Sequence, residues 1–292
     1  MSVVFAMIKG MRPKQWAKNV FLFAAIVFAK EYTNVDSWLR VTMAFMAFCC
    51  VSSSGYLLND IRDVEADKKH PRKRKRAIAS GALPIRIAYI QMVFLFVLGL
   101  YLAYMTNVPT LAVVLIYFIN TISYSLFFKN FVILDVMLIA TGFLWRVTAG
   151  AFAIDVPISP WLLMCTGFLA LFFGFNKRRG ELLNVKEKGT RANISQYNVQ
   201  MVQEFQAITT SGTIITYSLY CVFINQWLLM TLPCVLYGLF RYIYLVTAQA
   251  EGDAPDETLL KDKPMLITGL FYCVIAVSVL MLFPETSILS NV

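Results

Sequence analysis

Long apolar runs separated by three charged loops set the pattern of this chain. The runs have the length of membrane-crossing helices, not of strands or ordinary core helices. Expected spans lie at about residues 19–28, 41–58, 87–105, 111–128, 131–154 and 161–175. The run from 205 to about 246 is too long for one crossing and divides at its polar break, Asn225-Gln226, and a ninth span follows at 265–283. The first span is short for a hydrocarbon layer of about 30 Å, so it is expected to extend through Glu31-Tyr32-Thr33 or to pack against protein. Ahead of it, Arg12-Pro13-Lys14-Gln15-Trp16 predicts an amphipathic helix at the interface, with proline in its first turn and tryptophan at headgroup depth. The polar loops fall at about 60–86, 176–204 and 249–263. The fold expected is an all-α integral membrane protein, a single domain over residues 1–292 with nine transmembrane helices.

Charge placement gives this topology a direction. With the N-terminus inside, nine crossings put all three long loops on one face, and of the 26 lysines and arginines only Lys30, Arg40 and Arg146 fall away from it. That asymmetry is what the positive-inside rule expects, so the loops are read as cytoplasmic and the protein as multi-pass in the cell membrane. Hydrophobic residues make up 59% of the 292 and charged residues 15%, far from an average soluble domain. The net charge of +9 sits in loops and speaks for anionic partners and membrane lipids, not nucleic acid. Six cysteines lie in apolar stretches without metal-ligand spacing and His70 is the one histidine, which argues against disulfides and zinc. The basic N-terminal segment has no small-residue cleavage site after it and is read as retained.

The candidate chemistry begins where the second span meets water. Asn59-Asp60-Ile61-Arg62-Asp63-Val64-Glu65-Ala66-Asp67 is followed by a basic run to Arg76 that includes Arg72 and Lys75. On one continuous helix Asp60, Asp63 and Asp67 share a face, with Asn59 one turn before Asp63. A stripe of hard oxygen ligands suits Mg²⁺, which takes one or two carboxylates and completes its shell with water and substrate phosphate. A solvated helix end followed by a topology anchor is the alternative. A second polar site, Asn176-Lys177-Arg178-Arg179-Gly180-Glu181-Leu182, starts where the sixth span meets the same face, and Lys177 and Arg178 reach Glu181 at i+4 and i+3. With Arg12, Lys14 and Lys18 these groups would line a cavity with one acidic and several cationic walls, suited to substrates bearing several phosphates. Lys177 to Arg179 serving only as topology anchors is the alternative here. Arg146 lies within a span, where a cation needs a partner or a function, and Asp135 is about three helical turns earlier, too far to pair with it within the helix. Tyr124, Ser125 and Lys129 could add hydroxyl and ammonium donors.

At these residues the chain resembles the UbiA superfamily of intramembrane prenyltransferases. Asn59, Asp60, Asp63 and Asp67 meet the superfamily's NDxxDxxxD signature after the second helix, and the resemblance covers essentially the whole chain. It implies nine transmembrane helices around a central cavity. The second signature departs, because the superfamily usually carries DxxxD after the sixth helix and this chain has Asn176 to Leu182 there. The branch of decaprenyl-phosphate phosphoribosyltransferases is similar at Arg12 to Asn19, at Tyr124-Ser125 with Lys129, and at Lys177-Arg178 with Glu181-Leu182.

That resemblance implies transfer of 5-phosphoribose from phosphoribosyl pyrophosphate (PRPP) to a polyprenyl phosphate, with release of pyrophosphate. Asp60, Asp63 and Asp67 would be the catalytic acidic residues holding Mg²⁺, with Asn59 as a further ligand or orienter. Arg12, Lys14, Lys18, Arg72, Lys75, Arg76, Tyr124, Lys129, Arg146, Lys177, Arg178 and Glu181 would bind substrate, with Lys177, Arg178, Lys129 and Arg12, Lys14 or Lys18 on the phosphates. The acceptor phosphate is already ionised at neutral pH, so no strong general base is required. A prenyltransferase acting on an aromatic acceptor remains open, with Glu181 or the acidic stretch Glu251 to Asp262 supplying the second acidic site. A transporter with nine spans is conceivable as well, although no internal repeat is seen. Self-association as a homo-oligomer is compatible with all of this.

Overall fold

The computed structural model of the protein describes residues 2–71, 73–183, 194–248 and 262–283. Every regular element among them is helical, as the apolar runs predict. Seven helices are long and apolar enough to cross a membrane: Val35–Arg62, Ile85–Thr106, Val108–Leu126, Leu134–Ala153, Val199–Ile224, Gln226–Thr247 and Lys263–Leu282. The chain is therefore a multi-pass membrane protein by length and composition. Large apolar side chains such as Ile90, Phe94 and Val97 on one helix, and Leu270, Phe271 and Val274 on another, are exposed, as lipid-facing positions are.

Of the nine spans expected from sequence, seven have such a helix among the described residues. Where residues 19–28 were expected to cross, the chain forms a 3₁₀ segment, Pro13–Phe23, and a five-residue helix, Ala24–Phe28. The alternative anticipated for this short run holds: Leu22, Ala25 and Ile26 are buried in protein. The sixth run forms the helix Pro160–Leu183, whose last turns carry the charged residues Lys177, Arg178, Arg179 and Glu181. The expected interfacial helix is displaced too, since the helix spans Val3–Met11 and Arg12 ends it.

The chain divides into two compact units. The first comprises 1–129 and 141–158. It holds α1 (Val3–Met11), α2 (Ala24–Phe28), α3 (Val35–Arg62), α4 (Val64–Lys69), α5 (Ile85–Thr106), α6 (Val108–Leu126) and the later part of α7 (Leu134–Ala153). Its core gathers Leu22, Ile26, Phe48, Val51, Val113, Tyr117 and Ala149. At 28 residues α3 is about 42 Å long, so its last turns stand clear of the hydrocarbon. Gly99 of α5 lets that helix approach α3 closely, because a Cβ there would lie 2.6 Å from Val51 Cγ2 and 3.0 Å from the Ala47 carbonyl oxygen.

The second unit comprises 130–140 and 159–292. Its described helices are α8 (Pro160–Leu183), α9 (Val199–Ile224), α10 (Leu232–Ala248) and α11 (Lys263–Leu282). Phe172 packs with Leu239, Tyr242 and Val246, and Phe175 with Val136, Tyr197 and Val202. Asp262 caps α11 by accepting the Met265 N–H and pairs with Arg241, whose Nη2 lies 2.9 Å from Asp262 Oδ2. That guanidinium holds the half-buried Asp262 carboxyl below the usual range.

Candidate functional site

In the first unit four elements meet at the wet end of α3. Ser53 of α3 accepts from Trp16 Nε1 at 3.0 Å and donates to the Met11 carbonyl at 3.0 Å, which ties the end of α1 and the 3₁₀ segment to α3. Between those ties stands Arg12, in the left-handed region (φ 53°, ψ 61°) where its N–H caps α1 on the Lys9 carbonyl. A non-glycine residue there is strained by about 1–2 kcal/mol, so the neighbouring contacts must hold it. Its Nη2 donates to Asp60 Oδ1 at 2.5 Å, and its guanidinium lies 5.1 Å from the Tyr56 ring centroid. Tyr56 and Asp60 are one helical turn apart on α3, so a cation meeting one face meets both.

The acidic motif does not form the single stripe that its spacing predicts. The backbone leaves the helix at Asp63 (φ −91°, ψ 10°), where the Asp63 N–H caps the Asn59 carbonyl, and α4 restarts with the Asp67 N–H on the Asp63 carbonyl. Asp60 and Asp67, seven residues apart, stay on one side across this break. Both carboxylates converge on one nitrogen: Arg76 Nη1 lies 3.1 Å from Asp60 Oδ1 and 2.6 Å from Asp67 Oδ2. Asp63 points elsewhere, 3.7 Å from Lys129 Nζ. The residues just after Arg76 anchor it, since Ala77, Ile78 and Leu83 are buried against Ala6, Leu57 and Ile61. Lys9 Nζ adds a bond to the Lys75 carbonyl at 3.0 Å.

The other residues expected at a site are distributed more widely. Asn59 and Tyr124 are half-buried, Lys14 and Lys75 are exposed, and Lys18 Nζ donates to Gln15 Oε1 at 2.8 Å. Arg72 lies outside the described residues, as do 184–193 and 249–261 of the two later loops. Ser125 presents its carbonyl to Arg62 Nη1 at 3.1 Å. Arg146 finds neutral partners: Nε donates to Asn19 Oδ1 at 2.8 Å, Nη1 to the Gly142 carbonyl at 2.7 Å and Nη2 to the Tyr117 hydroxyl at 3.0 Å.

The second signature belongs to the other unit and has its own network. Arg178 is buried, with Nε 2.8 Å from Asp135 Oδ2 and Nη1 2.5 Å from Glu181 Oε2. Tyr197 completes it, donating to Asp135 Oδ1 at 2.7 Å and accepting the Ile133 N–H at 2.7 Å. Burial, reinforced by the Asp135 carboxylate, pushes the Tyr197 phenol well above its ordinary range, so it stays a donor. Arg179 Nη1 donates to Gln206 Oε1 at 2.9 Å, and Gln206 Nε2 to Asn176 Oδ1 at 2.9 Å. Lys177 is half-buried. The sequence reading missed Tyr56, Tyr197 and Gln206. Tyr56 was within reach of it, one turn from Asp60, whereas nothing local marks the other two.

A divalent cation is compatible with the first cluster. No three acidic, histidine or cysteine side chains gather as a ready-made metal cage among the described residues. Mg²⁺ does not require one, because one or two carboxylates serve when phosphate oxygens and water complete the shell. The convergence of Asp60 and Asp67 on one positively charged nitrogen is such a two-carboxylate cation site, with Arg76 standing in it.

Comparison with known proteins places this geometry in context. Residues 20–267 match the UbiA prenyltransferase family. The chain is 32% identical to the decaprenyl-phosphate phosphoribosyltransferase of Corynebacterium glutamicum, covering 95% of this chain and 88% of the relative. It is 31% identical to the same enzyme of Mycolicibacterium smegmatis, covering 92% and 90%. In fold it is similar to a UbiA homologue from Archaeoglobus fulgidus bound to GPP and Mg²⁺, with a TM-score of 0.74 over 94% of this chain and 99% of that one, at 16% identity.

Proposed function

The chain belongs to the UbiA prenyltransferase family, and on that premise we propose that it transfers 5-phosphoribose from PRPP to a decaprenyl-like polyprenyl phosphate in a Mg²⁺-dependent reaction. The observation that carries this reading is the end-to-end similarity to decaprenyl-phosphate phosphoribosyltransferases. The second signature supports it. Its carboxylate Glu181 is engaged by Arg178, which also pairs with Asp135, so these two carboxylates do not stand as the free acidic pair that a prenyl diphosphate enzyme needs.

In the reaction the bond from ribose C1 to the pyrophosphate oxygen breaks, and its electron pair leaves with pyrophosphate. A bond forms from C1 to an oxygen of the lipid phosphate, which carries no proton to remove at neutral pH. Asp60 and Asp67 would hold Mg²⁺, with Asp63 and Asn59 beside them. When bound, the ion supplies neutralisation of the charge that develops on the leaving pyrophosphate. Arg12, Arg76 and Lys129 reach the same rim and suit phosphate oxygens, Arg12 and Arg76 through two-pronged contacts and Lys129 as a point charge. Arg178 is engaged by two carboxylates, and its part is to fix the end of α8, where Lys177 stands. Nine crossings of the cell membrane with these loops in the cytoplasm complete the reading.

Detergent-purified protein incubated with ribose-labelled PRPP, Mg²⁺ and polyprenyl phosphates of several lengths tests it. Labelled phosphoribosyl lipid and stoichiometric pyrophosphate are expected. No labelled lipid at any chain length, with turnover of an isoprenyl diphosphate and an aromatic acid instead, overturns the assignment in favour of prenyl transfer.

A further inference from the structure

The carboxylates and the cations of the α3 cluster differ in exposure. The side chains of Asp60 and Asp67 are 4% and 3% exposed, whereas those of Arg12 and Arg76 are 29% and 28% exposed. The buried partners are fixed and the wet ones can move. Arg76 Nη1 fills the point on which both carboxylates converge, and Arg12 takes Asp60 Oδ1 from the other side. Among the described residues, three carboxylates (Asp60, Asp63, Asp67) face three cations (Arg12, Arg76, Lys129), so their charges balance.

A free divalent cation meets an unfavourable exchange at such a place. To reach Asp60 and Asp67 it must expel two guanidiniums from short charge-assisted bonds and leave them beside a doubly charged ion in partly buried surroundings. A metal that arrives with a diphosphate changes the balance, because the phosphate oxygens give the displaced guanidiniums new partners.

Resting on the proposed phosphoribosyl transfer, we infer that Arg76, seconded by Arg12, is a built-in counter-cation. It keeps bare metal off Asp60 and Asp67 and moves to the diphosphate when metal and diphosphate enter together. Its action is a coupling between metal and diphosphate binding, reciprocal as linkage requires. One side chain thus has two roles, and they give opposite signs when it is removed. Arg76→Gln binds bare metal more tightly and diphosphate less tightly. A residue that only braced the fold would weaken both, and one that only bound phosphate would leave bare metal unchanged.

The experiment measures binding, not turnover. Flow dialysis of detergent-purified protein follows Mn²⁺ alone, and retention of labelled inorganic pyrophosphate is followed with and without Mg²⁺. For Arg76→Gln, Mn²⁺ affinity should rise at least about tenfold and Mg²⁺-dependent pyrophosphate retention should fall at least about tenfold. Arg12→Gln, which removes one of the two guanidiniums on Asp60 and leaves the Arg76 contacts in place, should shift both in the same directions by less and gives an independent answer if Arg76→Gln does not yield monodisperse protein. Unchanged or weaker Mn²⁺ binding in these variants overturns the counter-cation role. Adding Asp67→Asn to Arg76→Gln separates the two levels: loss of the gained Mn²⁺ affinity supports metal at these aspartates, and its persistence places the metal elsewhere and removes the functional reading's metal site itself.

Discussion

Arg178 Nε and Asp135 Oδ2 lie 2.8 Å apart, with the two side chains 1% and 0% exposed. Asp135 opens α7 and Arg178 stands near the end of α8, so the pair joins two helices of one unit through charges that solvent does not reach. Neutralising Asp135 leaves Arg178 with Glu181, and removing Arg178 leaves the buried Asp135 charge facing the Tyr197 hydroxyl, so each single change breaks a buried ion pair at a cost of up to about 3–5 kcal/mol. Asp135→Asn and Arg178→Met should each lower the thermal transition in detergent sharply. Combined, they should recover most of the loss. A double variant no more stable than the worse single one would show that the pair is not coupled.

Asp63 is the acidic residue that can be altered most cleanly. Its contact with Lys129 spans 3.7 Å with the side chains 37% and 31% exposed, a surface pair worth at most about 1 kcal/mol. Asp63→Asn leaves the bridge from Arg76 to Asp60 and Asp67 in place. The thermal transition is expected to stay within about 3 °C, while phosphoribosyl transfer falls about 10²-fold if the aspartate serves the ion. Full activity in this variant would take Asp63 out of the metal site.

How far the sequence foretold these features depends on the range of the interaction. Apolar runs long enough to cross a bilayer produce helices because unpaired backbone polar groups are so costly in lipid, and α3, α5, α6 and α9 lie where the pattern placed them. The acidic motif and the basic run were legible as charge. Their pairing was not, because the stripe argument assumes an unbroken helix, and the backbone leaves the helix at Asp63. The 3₁₀ path of the first run was not legible for a related reason. Asn19 and Leu22 are buried against α7 and neighbouring segments, and that tertiary packing supports a 3₁₀ path which composition alone does not favour. Asp135 was recognised as needing a partner, but Arg178 and Tyr197 lie far along the chain and no local spacing points to them.

Asn19 is the side chain on which Arg146 depends. It accepts from Arg146 Nε at 2.8 Å and its own amide faces Cys49 Sγ at 3.3 Å, all three residues being buried. Asn19→Ala strands a charged donor and should cost about 1–3 kcal/mol. Tyr117→Phe removes the hydroxyl but keeps the ring, whose centroid lies 4.8 Å from the guanidinium carbon. Its effect should be smaller, and thermal denaturation of the two variants in one detergent compares them. An Asn19→Ala protein as stable as the parent would mean that Arg146 finds its partners elsewhere.

Two helical glycines make opposite demands, and the contrast tests the packing of the segment that bears Arg12. A methyl group on Gly150 of α7 would lie 2.1 Å from the Leu22 carbonyl oxygen and 2.9 Å from its Cα. Both are main-chain atoms, so relief requires the 3₁₀ segment to retreat. Gly150→Ala should therefore destabilise by at least about 1–3 kcal/mol, the usual range for overpacking. Because Pro13–Phe23 is continuous with Arg12, that retreat should also disturb the Arg12 contact with Asp60 and reduce turnover. A methyl on Gly269 of α11 would meet nothing within 4 Å. There the gain in helix propensity, up to about 1 kcal/mol, is unopposed, and Gly269→Ala should be neutral or slightly stabilising with turnover unchanged. If the two variants behave alike in thermal denaturation and in phosphoribosyl transfer, close seating of the 3₁₀ segment on α7 is not what positions Arg12.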